Sequence, residues 1–193
     1  MNKLILHPTS TSQWHALVTE ASKQCNAKLS EEIESYLVFL LMRFINAPSM
    51  LHKIMAIELL SSLHQPANER QQMLQAVGDS CLLFSGLFPG CARRRRVRVS
   101  YYIRLGQTAY STLSTQSEQG RPSLFITLCD QFVQLMDTLQ SMRELNNTQQ
   151  SLDLLQAEEI WHDVKSNHAL KTLQKFTSAP LIFNTNLISE LKH

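Results

Sequence analysis

The 193-residue chain carries 18 Lys and Arg against 16 Asp and Glu, a formal charge of +2; apolar types make up 44% and charged types only 18%. Low hydrophobicity with high net charge would mark a disordered chain, dense cysteine a disulfide scaffold, and abundant Gly or Pro a fibrous or low-complexity one. Four Cys, five Gly, six Pro and 30 Leu fit none of these, and an all-α, Leu-rich fold is expected.

The chain opens on Leu4-Ile5-Leu6 before His7 and Pro8, too short an apolar run for a secretory signal. Hydroxyls among Thr9 to Ser12 can cap a first helix through Trp14, Leu17 and Val18 to about Gln24. Ser30 with Glu31 and Glu32 starts a second, because the hydroxyl caps free N–H groups and carboxylates favour the positive helix end. Ile33, Leu37, Leu40, Leu41 and Phe44 carry its apolar stripe until Asn46-Ala47-Pro48-Ser49. A third helix covers about Met50 to Leu63, with apolar positions Ile54, Ile57, Leu59, Leu60 and Leu63. Met73, Leu74, Val77, Cys81, Phe84 and Phe88 trace a fourth from about Ala67, which Pro89-Gly90 stops. Gly78 and Gly86 lie inside it, where each costs about 1 kcal/mol against Ala, so close packing of a neighbouring helix is the expected reason for them.

Ser100 can cap a fifth helix with Tyr102, Leu105, Ala109 and Leu113 inward. Pro122 suits a helix start, and Phe125, Leu128, Phe132, Leu135, Leu139 and Met142 then form a heptad seam over two and a half repeats. That is short for a coiled coil, so internal packing is expected, although the seam also allows a homodimer. A seventh helix runs from about Ser151 to Lys165, and Leu170, Leu173 and Phe176 continue after Ser166-Asn167. The expectation is one irregular bundle of seven or eight helices over residues 1–180, with 181–193 as a docked or flexible tail, its Leu181-Ile182-Phe183 able to pair with Leu4-Ile5-Leu6. The most apolar stretch, Tyr36 to Ile45, is interrupted by Arg43 and is well under the ~20 residues of a membrane span. A cytoplasmic protein is expected.

The run Gly78-Asp79 … Leu82 … Gly86-Leu87-Phe88-Pro89, followed by Tyr101-Tyr102-Ile103, Gly106 and Ala109-Tyr110, resembles an uncharacterised bacterial all-helical family. Its pattern is G-D-x-x-L-x-x-x-G-x-F-P, then Y-Y-I-x-x-G-x-x-A-Y, with a similar Leu154-Leu155 … Trp161 stretch later. The resemblance implies a helical fold from about Ser35 to Leu173 and brings no activity, cofactor or catalytic residue with it.

Candidate chemistry is sparse. Glu159 and His162 form an E-x-x-H motif of the kind that holds di-iron in helical bundles. The second match, Glu190 and His193, ends on the last residue, where order is poor. No metal site is therefore expected, and Glu159 with His162 reads as an exposed pair on one helical face. No G-x-S-x-G elbow or phosphate-binding glycine loop occurs. No cofactor is expected. No two cysteines form C-x-x-C; Cys81 and Cys129 read as small buried hydrophobes, while Cys91 reads as an incidental exposed thiol, with redox sensing as the alternative because the Arg run beside it would raise its reactivity.

Two features remain. Residues 91–121 hold seven Arg and one acid, a local charge of +6 against −4 elsewhere. Clustered guanidinium groups repel one another and favour nearby anions, so Arg93, Arg94, Arg95, Arg96 and Arg98 are expected either to lie solvated or to engage an anionic or protein partner. Nucleic acid and anionic surfaces are weaker fits, because the pI near 8.4 falls below the range usual for nucleic-acid domains. The first reading is therefore a non-enzymatic binding or regulatory module. The alternative is a small-molecule or enzymatic site around Asp79, Tyr101, Tyr102 and Tyr110. Asp79 is a carboxylate in an apolar helix and needs a partner, which an Arg or a hydroxyl of the Tyr101-Tyr102 turn can supply.

Overall fold

A computed structural model describes residues 10–47, 54–116, 122–146 and 152–176. Ten helices lie there and no strand: α1 (Ser10–Gln24), α2 (Glu31–Asn46), α3 (Met55–Ser62), α4 (Ala67–Leu87), α5 (Pro89–Arg94), α6 (Val99–Gln116), α7 (Pro122–Asp130), α8 (Phe132–Asn146), α9 (Leu154–Val164) and α10 (Asn167–Phe176). The expected all-helical bundle is present, but seven or eight helices is too few. Both additions have local causes. Phe88 leaves helical dihedrals as anticipated, yet Pro89, well suited to a first helical position, restarts the chain as α5. The seam expected as one helix is interrupted at Gln131, leaving α7 and α8 nearly in continuation: the Gln131 amide still bonds Thr127 O at 2.9 Å, and its carbonyl accepts from Leu135 N at 2.9 Å.

The seam turns inward. Leu128, Phe132, Leu135, Leu139 and Met142 are buried within the chain, the internal alternative of the two above. α4 and α8 form the centre, buried without a break over 77–86 and 135–142. α4 packs against α6, α8 and α3, and α1 against α8 and α2. Buried small and polar residues let these helices approach. A Cβ on Gly86 would fall 2.5 Å from Leu139 Cβ, and one on Gly106 2.5 Å from Phe132 Cε2. Buried Ser85 donates to Cys81 O at 2.9 Å, and Gln140 Nε2 donates to Ser85 O at 3.0 Å.

Some local expectations shift. Ser30 is the N-cap of α2, but its hydroxyl makes no capping bond. α9 begins at Leu154, with Asp153 capping it by accepting from Gln156 N at 2.8 Å. α3 keeps little of its apolar surface inside: Met55 is buried, while Ile54 (62%), Ile57, Leu60 (63%) and Leu63 are all more than half exposed. The chain termini proposed to pair, the 181–193 tail, and Glu190 with His193 lie outside the described residues.

Candidate functional site

Asp79 lies on the buried side of α4 with no exposed surface. Its carboxylate accepts hydrogen bonds from Tyr36 at 2.5 Å and Tyr110 at 2.7 Å, both on Oδ1, while Arg43 pairs with Oδ2. Gln75 donates to the Tyr36 hydroxyl at 3.3 Å. Burial pushes the Asp79 carboxyl above the usual carboxylate range, opposed by the Arg43 charge and the two hydroxyl donors. Burial and the facing carboxylate push both the Tyr36 and Tyr110 hydroxyls up. Gly78 makes this possible: a Cβ there would collide with the Tyr110 ring, so the missing side chain admits the ring whose hydroxyl reaches the next residue, Asp79. The partners are thus Arg43 from α2 and tyrosines from α2 and α6, not the Tyr101-Tyr102 turn.

Of the three tyrosines grouped with Asp79, only Tyr110 reaches it. Tyr102 is buried and stacks on Phe84 with ring centroids 5.1 Å apart, and Tyr101 stands 40% exposed with its ring edge toward Tyr102. Those two tyrosines belong to the surroundings of the Arg connection, which runs through the end of α5 and the turn into α6.

Arg94, Arg95, Arg96 and Arg98 are exposed; Arg93 lies in α5. Arg94 Nη2 approaches Cys91 Sγ at 3.0 Å. The Arg95 guanidinium lies over the Phe84 ring, 4.8 Å from its centroid. Arg96 takes a left-handed φ of 56°, which non-glycine residues seldom adopt. Arg98 reaches Asp163 on α9 at 3.4 Å, and Ser100 donates to the same carboxylate at 2.7 Å. That serine bond, with the Arg98 charge behind it, holds the Asp163 carboxyl below the usual range. Ser100 therefore ties α6 to α9 instead of capping α6, which begins at Val99.

A cavity opens on each side of this connection, with Val97 on the wall of both. On the α3 side, about 340 Å³ is bounded by Arg95, Ile54, Met55, Tyr101 and Tyr102. On the α9 side, another of about 340 Å³ is bounded by Arg96, Arg98, Asp153, Leu155 and Glu159.

Two groups escaped the sequence reading. Asp137, buried in α8, accepts from Ser166 Oγ at 2.6 Å and from the His168 backbone N–H at 3.2 Å, so it caps α10 from a neighbouring helix. Burial raises its carboxyl despite those donors. Beside it, His168 contacts Ser141 Oγ through Nδ1 and Glu144 Oε1 through Nε2, both at 3.2 Å. Ser141 and His168 are buried, so the serine is placed as a structural bond between α8 and α10 rather than as an accessible nucleophile. The signal available for Asp137 was a lone acid among apolar neighbours, the same signal that drew attention to Asp79.

The E-x-x-H pair does not act together. His162 is exposed and turns to Asp163 at 3.3 Å, whereas Glu159 is half-buried, with Oε1 buried and accepting no hydrogen bond from the described residues. Among the described residues no three His, Cys, Asp or Glu side chains converge as a metal site, and no helix is long and apolar enough to cross a membrane. Cys81 is fully buried and its thiol is pushed well up by burial; Cys129, expected inside, is half-buried and donates to Gln107 O at 3.5 Å.

No family model, curated protein or solved structure matches this chain.

Proposed function

We propose that the chain is a binding module whose Arg connection and adjoining α3 face engage an acidic, amphipathic protein segment. One observation carries this: the guanidinium groups stand next to apolar surface that the fold leaves uncovered. Ile54 and Tyr101 share a cavity with Arg95, and Ile57, Leu60 and Leu63 continue the exposed apolar surface along α3. Uncovered apolar patches rimmed by polar groups mark interaction sites, and Arg with aromatic side chains is enriched there. Charge alone would suit nucleic acid or an anionic surface equally; the aliphatic face beside it favours a protein helix that presents both Glu and Leu. All four cysteines are free, as in a reducing compartment, which supports a cytoplasmic setting.

The test is direct binding of a labelled Glu/Leu amphipathic peptide, with duplex DNA and anionic vesicles as parallel arms over a salt series. The peptide should bind and retain affinity at moderate salt, since apolar contact is not screened. Replacing Arg93, Arg94, Arg95 and Arg96 with Ala, or Ile57 with Asp, should each weaken it. Failure of the wild type to bind peptide even at low salt ends this reading; binding of DNA or vesicles instead redirects it to those partners.

A further inference from the structure

The docking face has its complement on the same chain. On α9, Leu154, Leu155 and Glu158 are exposed, with exposed Asp153 just ahead of them. Leu155, at 72%, is the most exposed large apolar side chain among the described residues. Glu158 follows Leu155 by three positions and Leu154 by four, so the three share one helical face. That face is acidic and amphipathic, the class of segment assigned above to the α3 surface.

The two faces match in shape and charge. Along α3, exposed Ile54, Ile57, Leu60 and Leu63 recur at every third residue. At the Ile54 end of this stripe lies the α3-side cavity of about 340 Å³, with Met55, Tyr101 and Tyr102 on its wall and Arg95 as its cation. A pocket of this kind takes a single apolar anchor, with charge pairs at the rim. Leu155 is such an anchor, and Glu158, one turn on, is an anion for Arg95. Within one copy the two do not share a cavity: Leu155 borders the space on the other side of the connection, and Val97 stands between as a wall of both. The contact is therefore one between copies.

Both faces flank the same connection, so a two-fold rotation about an axis through it sets each copy's α9 against the other's α3. The contact is then made twice and the assembly closes, whereas a single unreciprocated contact would leave one face of each kind open and propagate. We propose that the chain forms a two-fold dimer in which Leu155 of each copy enters the α3-side cavity of the other and Glu158 pairs with Arg95. This rests on the docking reading above and names a second copy as the occupant.

The experiment is sedimentation equilibrium of the full chain over about 1–500 µM, a range that brackets the micromolar Kd of a small interface. The mass should approach that of two chains, with a smaller dimer fraction as salt rises and the charge pairs are screened. Leu155→Ser and Ile57→Asp should each weaken the dimer by roughly tenfold or more in Kd. Phe39→Ser, at an exposed apolar residue of α2 beside Glu31 and Glu32, should leave it intact. Glu158→Arg and Arg95→Glu should each weaken it, and an equimolar mixture of the two should restore it, because the mixed dimer has opposite charges at both contacts. All five side chains are exposed, and circular dichroism confirms that each variant is folded. A monomer at the top of the range in low salt overturns the proposal. So does a mass that grows beyond two chains, a dimer unmoved by Leu155→Ser and Glu158→Arg, a mixture that fails to associate, or a dimer lost with Phe39→Ser. A monomeric chain that still binds the Glu/Leu peptide removes only self-association and leaves the docking reading standing; one that neither associates nor binds the peptide removes both.

Discussion

Asp79 and Glu159 are both helical acids with arginine nearby, and the fold treats them in opposite ways. Asp79 is sealed: two tyrosine hydroxyls and a guanidinium satisfy it, and the residue before it is a glycine so that one of those tyrosines can reach. Glu159 is left with a buried oxygen that no described residue satisfies, at the wall of a cavity. A satisfied buried network rigidifies a core, and its groups have little capacity left for a ligand. The strongest motif in the chain thus specifies architecture, while the Arg connection remains exposed at the surface.

The largest expected effect tests the sealed half. Arg43→Leu removes the only cation bonded to Asp79 among the described residues and leaves a buried carboxylate held by two hydroxyls. Breaking a fully buried pair costs about 3–5 kcal/mol; Arg43 is half exposed and solvent screens part of its charge, so a loss toward the lower end of that range is expected, measurable as a lower urea midpoint at neutral pH. The sign of its pH dependence follows. Burial already raises the Asp79 carboxyl, and losing Arg43 raises it further in the folded state. Its contribution is then fully present below the unfolded value, near 3.9, and is lost as pH rises through the folded value. The gap between variant and wild type should therefore narrow on acidification through the carboxylate range. A constant gap would mean that Arg43 acts by packing and not by charge.

Gly78→Ala comes next. Alanine is favoured over glycine in a helix by about 1 kcal/mol, but the new Cβ would occupy the place of the Tyr110 ring. Overpacking of this kind costs about 1–3 kcal/mol, so net destabilisation is expected in thermal melts, together with loss of the Tyr110–Asp79 bond. Stabilisation would show that the ring can move aside and that the knot is less tightly specified than its geometry suggests. Asp137→Ala follows at about 1–2 kcal/mol, the scale of a lost helix cap, with amide exchange rising first at Asn167 and His168.

Helix positions were largely legible, because apolar spacing, Ser30, Pro122 and the Asn-rich breaks are local signals. The need for a partner at Asp79 was legible too, since a carboxylate among Val77, Cys81 and Leu82 cannot stay unpaired. Which partner was not. Arg43 and Tyr36 lie 36 and 43 residues away in sequence, and only the packing of α2 on α4 brings them in. The same holds for Asp137, which caps a helix 30 residues further on. The outward face of α3 was hidden for another reason: periodicity reports that a stripe exists, not whether a neighbouring helix covers it. Pro89 misleads because one residue serves both to end a helix and to begin one.

The smallest expected effect is on the open half, and it is the sharpest test of the contrast. Single Ala substitutions at Arg94 and Arg96 remove exposed side chains without a buried partner, so unfolding free energy should change by less than about 0.5 kcal/mol. Arg95 differs because its guanidinium covers the Phe84 ring; an exposed cation–π contact contributes about 0.5–1 kcal/mol, and Arg95→Ala should show that much in chemical denaturation. Phe84 in turn stacks on buried Tyr102, so this is the one place where the connection leans on the core. A loss from Arg95→Ala comparable to that from Arg43→Leu would mean that the connection is a structural clamp like the Asp79 knot, and that its charge is not free to serve a partner.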